Sequence, residues 1–195
     1  MYDKDNLIVI LKKAIPFLLK EDAEKFLSIC EFKQLKNKEI IVRENTKSRK
    51  AFFIIKGTLR SYLVNDKGIE KNIFLRPRHT VMASPNGIFE NNPAKYTIET
   101  IGNSELLVFN FKSFEELAFK NANILKFYIF AFKEIIQTMV YRVESMINRM
   151  PEQRYEDLLQ KSPQFFKTVY HKDIASYLGI TPVSLSRIRK RKEKK

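Results

Sequence analysis

The chain has 195 residues, 44% of them apolar, with 16 Phe, enough to fill one or two packed domains and too apolar for a disordered or collagen-like chain. Lys+Arg number 36 against 22 Asp+Glu, a formal charge of +14, which favours a polyanionic partner, nucleic acid ahead of an anionic membrane surface. A single cysteine, Cys30, and two histidines, His79 and His171, exclude an internal disulfide, a structural zinc, an iron–sulfur cluster and a cupin-type histidine cluster.

The N-terminus carries Asp3 and Asp5 where a secretory signal needs basic residues, and no apolar run approaches the ~18 residues of a membrane span, so the expected location is the cytoplasm with no membrane partner. Residues 5–31 have helical spacing. Leu7, Ile10 and Leu11 lead to Pro16, and Ala23, Phe26, Leu27 and Cys30 form a second stripe in which Cys30 is expected as a small buried hydrophobe. From about residue 38 to 110 the texture is short β-rich runs: Ile40–Val42, Phe52–Ile55, Leu59–Val64, Ile73–Leu75, Tyr96–Ile101 and Leu106–Phe109. Turn signals at Lys56-Gly57, Asn65–Gly68, Arg76-Pro77, Asn91–Pro93 and Gly102-Asn103 separate them, which predicts a small antiparallel barrel or roll.

The period then changes. Ser113 with Glu116 three residues later reads as a capping box. A segment free of glycine and proline follows from Asn121 to Met150, with apolar residues at Ala122, Leu125, Ile129, Phe132, Ile136, Met139, Val143, Met146 and Met150. This 3.5-residue repeat predicts a helix of roughly 28 residues, about 42 Å long. It also predicts a parallel homodimer whose interface is Leu125, Ile129, Phe132, Ile136, Met139, Val143 and Met146. The alternative is a helix buried against its own roll; a second stripe, Phe127/Tyr128, Ala131 and Ile135, suits that packing. Pro151 stops the helix, giving units 1–120, 121–150 and 151–195. One more short helix, Arg154–Gln160, ends at Ser162-Pro163.

The chain has no P-loop, GxGxxG, GxSxG or HExxH motif and five glycines in all, and Glu115-Glu116 reads as a solvated helix face. The expectation is a protein that is not an enzyme and holds no cofactor or metal.

The strongest signal spans His171–Ile188. Ala175 supplies the small residue that two closely crossing helices need, and Gly179, four residues on, supplies the positive φ of a sharp turn. Ile174, Leu178, Ile180, Leu185 and Ile188 form the shared core. Thr181 caps the second helix, with Pro182 at its first position. Val183, Ser184, Ser186, Arg187 and Lys190 face outward, and a basic run, Arg189-Lys190-Arg191-Lys192-Glu193-Lys194-Lys195, follows. These features predict a helix-turn-helix in which Val183, Ser184, Ser186 and Arg187 read bases, with Thr181 and Pro182 also at the DNA-binding site. Arg189, Lys190, Arg191 and Lys172 would hold phosphates. The plainer alternatives are a helical hairpin and a solvated basic tail.

A β-roll, a long dimer helix and a C-terminal helix-turn-helix, with Phe53-Ile54-Ile55-Lys56-Gly57-Thr58-Leu59-Arg60 in the roll and Ile174–Ile188 at the end, resemble the cyclic-AMP receptor and fumarate–nitrate regulator (Crp/Fnr) family of bacterial transcription factors. The resemblance implies an α+β fold: an N-terminal antiparallel β-roll (a double-stranded β-helix of the cyclic-nucleotide-binding type), a dimerisation helix and a winged helix-turn-helix. It also implies a homodimeric regulator whose sensory roll orients two DNA-reading helices on a pseudo-palindromic operator, with RNA polymerase as a further partner and a small molecule as a possible effector. The phosphate cassette of cyclic-nucleotide-binding members is altered. Aligned on Gly87-Ile88-Phe89-Glu90, Ser84-Pro85 replaces Gly-Glu, and Ala94-Lys95-Tyr96-Thr97 surrounds the Arg-Ser place. The ribose acceptor is lost and Pro85 removes an amide, so cyclic AMP is not the expected effector; Ser84, Lys95, Tyr96 and Thr97 are the effector-site candidates. The cysteine set of the oxygen-sensing branch and a haem axial ligand are missing. Arg187 matches a base-contacting Arg, but Pro182-Val183 stands where family members use Arg-Glu, so the operator differs from the familiar palindrome. Two other readings remain: a ligand-binding roll acting through protein contacts with a vestigial DNA domain, and a cupin-type enzyme.

Overall fold

A computed structural model describes residues 2–193. Two amphipathic helices open the chain, α1 (Lys4–Ala14) and α2 (Lys20–Leu27). Asp3 caps α1, its carboxylate accepting from the Asn6 amide at 2.7 Å. Phe26 of α2 meets Phe109, Phe114 and Phe127 edge-on at 5.1, 5.5 and 5.4 Å, the quadrupole-favoured geometry for ring pairs.

Cys30 is not on that helix. The Ser28 hydroxyl donates to the Lys25 carbonyl at 2.7 Å, a local bond that competes with helix continuation. Cys30 then begins strand β1 (Cys30–Leu35), opposite Phe109. Its thiol is half-buried, donates to the Phe26 carbonyl at 3.2 Å and is pushed up to about 12 by burial.

The remaining strands are β2 (Ile40–Val42), β3 (Lys50–Val64), β4 (Glu70–Pro77), β5 (Val81–Ala83) and β6 (Thr97–Asn110). All pairings are antiparallel, in the order β1-β6-β3-β4, with β2 also on β6 and β5 on β3. The predicted roll is present, but two predicted turns are not turns. β3 runs through Lys56-Gly57 and β6 through Gly102-Asn103. Lys56 faces Glu105 while Thr58 faces Ile101, so Gly57 sits opposite Gly102–Ser104 as a bulge that bends the sheet. Gly57 has φ +91, and a Cβ there would lie 2.2 Å from the Ser104 Oγ. His79 occupies a tight turn at φ +68, and burial, with Arg78 and Lys13 nearby, lowers its pKa.

Short helix α3 (Pro85–Glu90) lies between β5 and β6. α4 (Phe111–Phe119) starts two residues before Ser113, because Asn110 caps it instead, accepting from the Lys112 amide at 2.9 Å. The long helix α5 spans Ala122–Asn148, 27 residues. It stops short of Met150, because a residue before proline is forced out of the helical region; Met150 is extended and Pro151 opens α6 (Pro151–Lys161). A short α7 (Phe165–Thr168), α8 (His171–Tyr177) and α9 (Pro182–Glu193) follow. No strand follows Asn110 among the described residues, so the expected wing is not formed. Past Ile188 the chain is Arg, Lys and Glu with nothing apolar to face a core.

Apolar side chains gather in three places. One core joins α1, α2, α4 and α5 to the outer face of the sheet, and a second, around Phe52, Ile54, Ile98 and Leu106, fills the roll. A third joins α6 to α9 and includes Leu75 and Ile101 from the sheet. No helix among the described residues is long and apolar enough to cross a membrane.

Candidate nucleic-acid interface

α8 and α9 cross as the sequence predicts. Ala175 is fully buried between them, with Ile174, Leu178, Leu185 and Ile188 around it and Ile180 half-buried. Gly179 turns the chain at φ +69, and the Ile180 amide donates back to the Ala175 carbonyl at 3.0 Å, closing α8 as a left-handed helix cap does. Thr181 caps α9: its Oγ1 accepts from the Ser184 amide at 3.1 Å and shares a 2.9 Å bond with the Ser184 hydroxyl.

On α9, Val183 is 60% exposed, and Ser186, Arg187 and Lys190 are exposed with it on one face. Thr181, Pro182, Arg189 and the α8 residue Lys172 are also exposed; Ser184 is half-buried by its cap. Arg191 is exposed but paired, its guanidinium 2.6 Å from Glu152, and Lys192 pairs with Glu156. Those two cations brace α9 on α6. Lys194 and Lys195 of the basic run lie outside the described residues.

The helix-turn-helix does not stand free of the roll. Arg60 of β3 is 4% exposed and spans the gap, with its guanidinium 2.8 Å from Asp173 of α8, 3.0 Å from Glu99 of β6 and 2.7 Å from Glu70 of β4. Its ring-stacked neighbour is Tyr62, with the guanidinium carbon 4.2 Å from the ring centre. Asn72 of β4 donates to the Asp173 carbonyl at 2.9 Å, and its amide donates to the Ser176 hydroxyl at 2.9 Å. Arg142 of α5 donates to the Tyr177 carbonyl at 2.7 Å and to the Asn72 carbonyl at 2.8 Å. Arg154 of α6 donates to the Leu178 carbonyl at 3.0 Å. Sequence reading assigned these residues no role. The available signal was a charge, Arg60, inside the apolar run Leu59–Val64, and an acid, Asp173, directly before the buried Ile174-Ala175 pair.

The heptad positions of α5 divide unequally. Leu125 is half-buried, whereas Ile129, Phe132, Ile136, Met139, Val143 and Met146 are exposed, together with Val140 and Ile147 at 74%. Of the second stripe, Phe127 is buried, Tyr128 and Ala131 pack partly against the core shared with the roll, and Ile135 is half-buried.

The effector-site candidates do not converge. Ser84 is fully buried, its hydroxyl without a hydrogen-bond partner. Lys95 is exposed. The Tyr96 hydroxyl donates to the Ala83 carbonyl at 3.2 Å, and burial raises its pKa. Thr97 is buried and accepts from the Glu44 amide at 3.2 Å. Gly87 of α3 leaves room for the Ser48 carbonyl, which would sit 2.0 Å from a Cβ there. Among the described residues no His, Cys, Asp and Glu cluster is placed to hold a metal ion.

Comparison with known proteins agrees with this layout. The cyclic nucleotide-binding domain model matches residues 32–121. Among solved structures, FixK2 from Bradyrhizobium japonicum superposes with a TM-score of 0.73 at 14% identity, over 85% of this chain and 85% of its own. A CooA mutant from Carboxydothermus hydrogenoformans gives 0.69 at 14%, over 87% and 79%. CLP of Xanthomonas campestris, described as a c-di-GMP responsive global regulator, gives 0.67 at 13%, over 88% and 90%. Among curated proteins no sequence matches. Residues 32–121 thus match the cyclic nucleotide-binding domain model, and the fold of the whole chain is the one seen in these solved structures.

Proposed function

We propose that this chain is a homodimeric, sequence-specific DNA-binding transcription regulator that does not respond to cyclic AMP. The observation that carries the reading is α9: a capped helix at the end of a close helix crossing, presenting Val183, Ser186, Arg187 and Lys190 to solvent on one face. A helix of this form enters the major groove, where Arg bonds guanine O6 and N7 in a bidentate fashion and Val meets the thymine methyl. Lys172 and Arg189 flank it as phosphate contacts. Units 1–120, 121–150 and 151–195 serve as sensor, dimer helix and DNA reader.

Dimerisation is supported by the exposed α5 seam, a run of apolar side chains that single chains rarely leave in water. Two copies paired along α5 place two α9 helices about 34 Å apart, one turn of DNA. The loss of cyclic-AMP response is supported by Ser84, Pro85 and the outward Lys95, which leave no converging cation and ribose acceptor in the cassette. RNA polymerase is the further partner of such a regulator. Selection of bound sequences from a random duplex pool tests the reading: it predicts two inverted half-sites one helical turn apart. Enrichment of single, unpaired half-sites, or of no sequence, would overturn it.

A further inference from the structure

Beside α3, where α5 leaves the roll, lies a cavity of about 250 Å3. Its walls are Phe89, Phe111, Phe132 and Tyr128, with Ala131 and Ile135 of α5 across from Val81 of β5. Phe89 meets Phe111 and Phe132 edge-on at 5.3 and 5.5 Å, and Tyr128 stacks on Phe132 at 5.8 Å, so the rings are already ordered. Arg76 is the one charged residue among the described ones on the wall. It is neutralised by Glu134 at 2.9 Å and also donates to the Val81 carbonyl at 3.2 Å. The Tyr96 hydroxyl is likewise engaged by Ala83.

We propose that this cavity binds a neutral, flat aromatic molecule of about two fused rings. Size sets the upper bound: an apolar cavity of about 150 Å3 takes one benzene, and drug-sized ligands need about 300 Å3 or more. Charge sets the class. A phosphate or carboxylate here would lose its water and find the wall's one described cation already paired, so its desolvation would go uncompensated. An uncharged ring system loses little water, and it meets ring faces and edges at contact distance. The lack of a Cβ-branched or large side chain at residue 131 leaves the room; a larger side chain there would fill it.

The same wall gives the ligand a route to the DNA reader. Three residues past Met139, which also lines the cavity, Arg142 holds the Tyr177 carbonyl at the end of α8 and the Asn72 carbonyl in β4. A molecule that seats Ala131 and Ile135 differently against the roll moves the helix that carries Arg142. This regulatory half rests on the proposed regulator function; the binding half rests on the cavity alone.

Titration of the full chain with 6-propionyl-2-(dimethylamino)naphthalene, a neutral, flat fluorophore of two fused rings that brightens in apolar surroundings, tests the proposal. Saturable binding of one probe per chain is expected, weakened about tenfold or more by Ala131→Phe. Ala131→Leu is expected to weaken it less, and millimolar cyclic AMP is expected not to displace it. Circular dichroism and melting of both variants establish that they fold, and the Leu variant carries the test if the Phe variant does not. Absence of saturable binding, undiminished binding in both folded variants, or displacement by cyclic AMP overturns the proposal. Binding lost in Ile136→Lys but kept in Ala131→Phe would place the probe on the outer seam and overturn it as well. On DNA, the probe is expected to shift operator affinity at least threefold for the wild type and not for Ala131→Phe. Probe binding with unchanged operator affinity removes the regulatory half alone, whereas no operator binding with or without probe refutes the regulator function and leaves the cavity result standing.

Discussion

Arg187 and Arg60 carry the same charge in opposite surroundings, and their expected mutational effects differ accordingly. Arg187 is exposed on α9 and pairs with nothing on the same chain within the described residues, so its guanidinium is available to a base. Arg187→Ala is expected to weaken specific DNA binding by about 1–3 kcal/mol and to spare non-specific affinity, as read by competition with random duplex. An equal loss on both would make Arg187 a phosphate clamp. Arg60 is the cation shared by the buried carboxylates Glu99 and Asp173. Its removal leaves both carboxylates in a low-dielectric space, so Arg60→Ala is expected to cost about 3–5 kcal/mol in urea unfolding. Arg60→Lys keeps the charge but loses the fork that reaches Asp173 and Glu99 together, and is expected to fall between; a cost below ~1 kcal/mol for the Ala variant would contradict the account. Cys30 gives a pH signature. Burial raises its folded pKa from 9.0 to about 12. The neutral thiol's contribution is therefore fully present below pH 9 and is lost as pH rises through about 12. Cys30→Ala is expected to show a shallower loss of stability between those values than wild type, and identical slopes would count against burial as the cause.

At the scale of elements, α5 turns one face to its own roll and leaves an apolar face exposed, the face the proposed dimer would use. Phe127 is buried and Ala131 and Ile135 half-buried, whereas Ile129, Ile136 and Val143 are exposed, so the two stripes legible in the sequence differ in burial, and the exposed one is free for the proposed dimer. Ile136→Lys puts a charge in the middle of the outward seam and is expected to yield a folded monomer by sedimentation; an unchanged dimer would move the interface elsewhere. The strands were legible with one systematic error. Gly57 and Gly102 signalled positive φ, which a turn and a bulge both use, and only pairing across two long strands distinguishes them. β1 and β5 lacked the apolar run that marks a strand, one beginning at Cys30 and the other only three residues long. The wing followed from resemblance rather than from residues, and the Lys- and Arg-rich end of α9 had no pattern to support it. The α9 face was legible because its signals are local: a cap, a turn glycine and a spacing of three and four. Arg60, Asn72 and Arg142 were not, since their partners lie 113, 104 and 70 residues away in sequence, and nothing in a single chain's pattern pairs them.

At the scale of the molecule, the roll, α5 and the helix-turn-helix are tied at one junction, where Arg60, Asn72 and Arg142 hold α8 from three elements. Three elements grip one short helix, so in the proposed regulator a change in the roll or in α5 would alter how α9 is presented. The charge of +14 supplies attraction to any duplex but no sequence preference; preference has to come from the few side chains on the α9 face. The direct measurement is fluorescence anisotropy of a duplex carrying the selected inverted half-sites against a random duplex, across a salt series. The account predicts steep salt dependence on both and a preference above about 10^3 for the inverted site. Equal affinity for the two duplexes at every salt concentration would reduce the protein to a non-specific polycation and contradict sequence-specific regulation.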